Sequence, residues 1–190
     1  MQKLAGTGLM LLAMLVAGVA MAAAEATQPR PIYGTAEEVF IPELGIRVPA
    51  KVDTGAESAS LSAIHVRRFK RNDERWVRFQ LAVEGLPAAE IELPLSHNVR
   101  IRRRASDFEE GEDKDYARRP VIELTLCIGD RKQTLNVNLA DRRRFSQPML
   151  IGRDALRALH AMVDVEQKFA VGEPRCDGVD SARRATIEKD

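Results

Sequence analysis

Val52-Asp53-Thr54-Gly55-Ala56-Glu57 is the stretch that decides how this chain is read. The run before it, Ile46-Arg47-Val48-Pro49-Ala50-Lys51, is short, apolar-rich and strand-like, so the motif delivers a carboxylate at the end of a strand. Each residue type has a use there. Asp53 carries the charge. Gly55 lets the chain turn sharply without a Cβ clash. Thr54 offers a hydroxyl to lock the turn, and Ala56 is small enough for another segment to pack close by. The bland alternative is a plain β-turn that happens to carry these residues.

The surrounding sequence is built for strands. Two strand-like pieces, 35–41 and 46–52, flank the turn Pro42-Glu43-Leu44-Gly45. A short run at 59–66 follows. Residues 76–84 alternate, with Trp76, Arg78 and Gln80 on one face and Val77, Phe79, Leu81 and Val83 on the other. Further strand candidates lie at 89–95, 99–103, 120–128 and 133–139, the last two joined by a turn at Gly129-Asp130. Residues 105–117 are polar and acidic and read as a long loop or hairpin tip. Met149-Leu150-Ile151 is a short buried strand. Only then does helical spacing appear, over 154–161, with Ala155, Leu156, Leu159 and Met162 in phase and Asp154 near the start. Val163-Asp164-Val165 and residues 168–171 read as closing strands. The fold class is all-β, with many short strands and one short C-terminal helix.

The first 24 of 190 residues read as a secretory signal: Lys3 at the start, an apolar centre over 9–19, and Ala22-Ala23-Ala24 as the cleavage site. Cleavage after Ala22 and an uncleaved anchor are the alternatives. The apolar run is short for a membrane span, so the mature protein is expected in the periplasm without stable membrane insertion. Residues 25–31 form a linker, 32–172 the domain, and 173–190 a charged tail expected to be disordered. Cys127 and Cys176 are the only cysteines; an oxidising compartment permits their pairing without requiring it. Net charge is +1, which argues against a dedicated nucleic-acid binder. Basic clusters at 67–71, 100–104 and 142–144 are either solvated strand ends and loops or contacts for an anionic partner such as an acidic peptide.

A second motif, Met149-Leu150-Ile151-Gly152-Arg153-Asp154-Ala155-Leu156, follows the first by about a hundred residues. Together they resemble the retropepsin-type aspartic peptidases. There the aspartate turn packs against a later strand of two apolar residues and glycine, followed by arginine and a short helix. The chain is most similar to a bacterial family that carries the label ATP-dependent zinc protease and is described as retropepsin-like. Lys51, Ser60-Leu61-Ser62-Ala63, Arg119-Pro120-Val121, Leu139-Ala140-Asp141-Arg142 and Val163-Asp164 also match, so the resemblance spans residues 33–171. Members of that family can sit near genes for amino-acid ligases.

The resemblance implies a closed retropepsin-like β-barrel with Asp53 as catalyst, and Thr54, Gly55 and Ala56 forming the turn and meeting substrate backbone. Glu57, Leu150, Ile151, Gly152 and Arg153 would support the site, with an ion pair expected between Glu57 and Arg153. Water activation in this class needs two carboxylates, and this chain has one such motif. A homodimer with both copies of Asp53 at the two-fold axis is therefore implied, with Thr54 cross-bracing the facing turn. The substrate would be a peptide or protein. A flap is also implied; the candidate lies between Ala82 and Pro120, with 106–116 at its tip, and holds no glycine-rich tip. That departure favours a second reading, a non-catalytic peptide- or protein-binding module on the same fold. A basic-patch binder of anionic polymers is a third. Neither zinc nor ATP is expected as a cofactor. His65, His97 and His160 are scattered, and there is no phosphate-binding Gly-Lys-Ser/Thr loop.

Overall fold

The computed structural model describes residues 29–102 and 116–176. The expected signal segment, most of the expected flap tip and the end of the tail lie outside the described residues. Within them run β1 Ile32–Tyr33, β2 Ala36–Ile41, β3 Ile46–Val52, β4 Ala59–Arg71, β5 Glu74–Leu81, β6 Glu90–Pro94, β7 His97–Arg102, β8 Tyr116–Ile128, β9 Arg131–Ala140, β10 Met149–Ile151, α1 Arg153–Ala158 and β11 Met162–Val163.

Six of these strands close a barrel in the order β10-β3-β2-β8-β9-β4, and β10 pairs with β4 to complete the ring. The three-residue β10 is the keystone. It runs parallel to β3, with Ile151 opposite Val52, and antiparallel to β4, with Leu150 opposite Ser60. Alternating side chains of the barrel strands fill the interior, among them Val48, Leu61, Ile122, Leu124, Leu139, Met149 and Ile151. β4 continues past the barrel and carries β5 and β6 as a three-stranded extension, its pairing with β5 interrupted by a bulge at residues 64–67 where His65 takes a φ of +53°. β5 buries Val77, Phe79 and Leu81 and turns Arg78 outward, as its alternation dictates.

Pro120 sits inside β8 although proline cannot donate to a ladder. It lies where the strand changes partners: residues 116–121 pair with β7, and residues 121–128 with β9. The expected strand at 120–128 is thus extended backwards. The expected helix is shorter. It ends at Ala158 because His160 is left-handed (φ +52°), and Met162, expected on the helix, pairs with Ile32 in β11 instead.

Residues 168–171 were expected as a closing strand and form a turn with Phe169 at φ +54°. The N–H groups of Ala170 and Val171 donate to the Glu37 carboxylate, so they are not offered to a neighbouring strand. Cys127 and Cys176 form a disulfide, packed on Phe40, so the start of the tail is tied to β8 as far as Cys176.

Candidate active site

The end of β3 fixes the backbone of Asp53. Its N–H donates to the Ile151 carbonyl (2.9 Å), extending the β3–β10 ladder by one bond. The carboxylate then holds its own turn. Oδ1 accepts from the N–H of Gly55 (3.0 Å) and of Ala56 (3.2 Å), while Oδ2 accepts from the Lys51 ammonium (3.0 Å). This corrects the role expected of Thr54. Thr54 is exposed and makes no hydrogen bond among the described residues; the lock is the aspartate side chain itself. Gly55 does not occupy the left-handed region, and the expected Cβ clash explains its place. A Cβ there would lie 3.2 Å from Asp53 Oδ1, so close approach to the carboxylate is what favours glycine.

Asp53 is half-buried. Burial, the largest single influence, works to raise its pKa. The Lys51 ammonium and the two backbone N–H groups together outweigh it and hold the carboxyl below the usual aspartate value.

The two motifs are joined by main-chain hydrogen bonds. The N–H of Arg153 donates to Ala56 O (2.9 Å), and that of Asp154 to Glu57 O (3.0 Å). No ion pair forms between Glu57 and Arg153. Both side chains are exposed, and these main-chain bonds already supply the link that the pair was expected to provide. Gly152 is where the segments touch: a Cβ on it would fall 2.7 Å from the carbonyl oxygens of Glu57 and Ser58. Leu150 is half-buried and Ile151 fully buried beneath the turn.

Behind the turn lies a polar cluster that sequence reasoning missed. Asn138, almost fully buried on β9, donates to Ser58 Oγ (3.1 Å) and Ala59 O (2.6 Å), and accepts from Arg119 (3.2 Å). Arg142 is buried and donates to Ser60 Oγ and to Gln147 O, with its guanidinium over the Phe145 ring. Burial and the neighbouring Arg119 charge push its pKa down to about 10, and the Asp53 charge acts in the opposite sense. The run Arg142-Arg143-Arg144 gave no sign that one member points inward; a faint signal was Asn138 at the end of a strand that becomes buried on both faces.

Two cavities share a residue with the turn or with the polar cluster behind it. One, about 660 Å³, is lined by Arg68, Arg118, Arg119, Asp141 and Arg143 among others. It connects to the turn through the Arg119–Asn138–Ser58 bonds. The second, about 530 Å³, is shared by Thr54, Arg153, Arg30 and Val163. Two of the three basic clusters have a matched member: Arg71 binds Glu92, which also takes Arg78, and Arg143 binds Asp141. Among the described residues no three His, Cys, Asp or Glu side chains converge, and both cysteines are bonded to each other.

Known proteins are similar to this chain in sequence and fold. A solved structure from Legionella pneumophila, a protein of unknown function (DUF785), superposes with a TM-score of 0.61 at 29% identity, over 75% of this chain and 99% of that one. Curated relatives include a "Probable alpha-L-glutamate ligase" of Shewanella pealeana (31% identical, covering 75% of this chain and 30% of that protein). Another of that name, from Parasynechococcus marenigrum, is 28% identical over 79% of this chain and 31% of its own. The chain thus spans about a third of the length of these relatives. Residues 32–174 match the model of the family described as RimB-like, retropepsin-like aspartic endopeptidase RimB. With the aspartate turn, the β10 keystone and the closed barrel in place, the chain belongs to the RimB-like family of retropepsin-like aspartic endopeptidases.

Proposed function

We propose that this protein is an exported aspartic endopeptidase that hydrolyses peptide bonds with a water activated between two Asp53 carboxylates, one from each subunit of a homodimer. The observation that carries this reading is the Asp53 turn. One carboxylate is held at a strand end by backbone bonds, on an accessible edge, in a family of aspartic endopeptidases. In the reaction one Asp53 takes a proton from water while the other, protonated, gives one to the scissile carbonyl. The donors around a lone Asp53 favour its charged form. A second carboxylate opposes that and holds a shared proton on the pair. Ala56 and the backbone of Gly55 would meet the substrate chain, and Thr54, unbonded among the described residues, would reach the facing turn.

Exposed Ile32, Met162 and Val165 support the dimer. They lie on and beside the β1–β11 pair, next to the cavity that Thr54 shares with Val163. The Cys127–Cys176 disulfide supports an oxidising, periplasmic setting. The arginines of the larger cavity favour substrates with acidic residues.

One observation favours the alternative, a non-catalytic peptide- or protein-binding module. The matched stretch forms about 30% of proteins named as glutamate ligases, where such a domain can serve a neighbour. The test is cleavage of an unstructured protein at mildly acid pH by the mature protein and by Asp53→Asn. Peptidase function predicts cleavage that falls on the order of 10³-fold in the variant. No cleavage by the wild type, or equal cleavage by both, supports the binding module or another site.

A further inference from the structure

We propose that Lys51 is a positioning residue for this reaction, a resident counter-ion of Asp53 that moves the pH window of the paired carboxylates downward. The assignment presupposes Asp53 as the catalyst. Lys51 precedes it by two residues at the end of β3, so both side chains lie on one face of the chain. Its ammonium sits 3.0 Å from Asp53 Oδ2 and pairs with no other carboxylate among the described residues. By two-fold symmetry a dimer brings two such cations to the pair.

The other groups around Asp53 leave this role to Lys51. Its own turn supplies the N–H groups of Gly55 and Ala56, both on Oδ1. β10 supplies the apolar Leu150 and Ile151. From α1, Arg153 contributes its N–H to Ala56 O, and its exposed guanidinium makes no bond to the carboxylate. From the segment after β9, the buried Arg142 feels the Asp53 charge but is bonded to Ser60 and Gln147. Among the described residues Lys51 is the one cation in contact. A cation favours the singly charged pair over the neutral one, and the doubly charged pair over the singly charged. Both proton losses therefore move to lower pH.

The experiment is the pH profile of kcat for wild type, Lys51→Met, Lys51→Gln and Lys51→Arg on one unstructured protein substrate, with Asp53→Asn as the blank. We expect Met and Gln variants that remain active, with both limbs of the profile moved to higher pH, and an arginine variant whose profile follows wild type. Either neutral variant suffices should the other fail to fold. Profiles of Met and Gln variants superimposable on wild type overturn the assignment, as does an arginine variant displaced as far as they are. Activity surviving in Asp53→Asn overturns instead the reading of Asp53 as the catalyst, and the assignment with it.

Discussion

Gly152 shows why one position in the second motif is restricted to glycine. Its backbone is extended, with φ −93° and ψ −178°, so conformational freedom is not the reason. The restriction is space: main-chain oxygens of Glu57 and Ser58 occupy the place a Cβ would take, and neither can swing aside. Gly152→Ala is expected to cost about 1–3 kcal/mol by overpacking, read from urea or thermal unfolding, and to displace the Asp53 turn on which it presses. Asp53 itself ties stability to pH. Its folded pKa lies below the ordinary aspartate value of 3.8, so its ionised form stabilises the fold. That contribution is fully present above the unfolded value and is lost as pH falls through the lower folded one. For the dissociated subunit, where no second carboxylate faces Asp53, the stability difference between wild type and Asp53→Asn is therefore expected to be flat above about pH 5 and to change only below about pH 4; unfolding curves across pH 3–7 at protein concentrations below those of dimer association check it. The sequence shows the carboxylate and the glycines plainly. It does not show that the carboxylate ties its own turn, because that depends on where Oδ1 falls relative to two N–H groups.

Among the elements, the strap of residues 164–172 owes its shape to a buried carboxylate. Glu37 on β2 is fully buried. Its Oε1 accepts from Gly34 (2.6 Å) and Ala170 (3.0 Å), and its Oε2 faces Val171 N–H (3.4 Å). Gly34 lets the strap lie against β2, since a Cβ there would meet Gln167 O at 2.7 Å. In Glu37→Gln the amide must set an N–H against a backbone N–H, and a loss of about 1–3 kcal/mol is expected in chemical denaturation. The hairpins were legible because alternation and turn residues are local signals: β2 and β3 fall within a residue of expectation, and β5 shows the expected alternation. Glu37 was not legible. In Ala36-Glu37-Glu38-Val39 two neighbouring glutamates look equally solvated, and only a segment 130 residues later selects the one that is buried. The same holds for Arg142, where one of three consecutive arginines turns inward to Ser60.

At the scale of the molecule, three residues of β10 close the barrel and place Asp53 at once, because the same strand that seals β3 to β4 accepts the Asp53 N–H. That long-range closure was readable from sequence only through the pairing of two motifs about a hundred residues apart; strand periodicity alone gives strands without their partners. A barrel so built presents one carboxylate, and hydrolysis by this chemistry needs two. The most direct test mixes wild-type and Asp53→Asn subunits in increasing ratio, after exchange to equilibrium at constant total protein, and measures peptidase rate. If the catalyst is a pair drawn from two chains, the rate falls as the square of the wild-type fraction, so equal amounts leave about one quarter of the activity. A rate that falls in direct proportion to the wild-type fraction, leaving one half, would mean that each chain works alone and would contradict the shared pair.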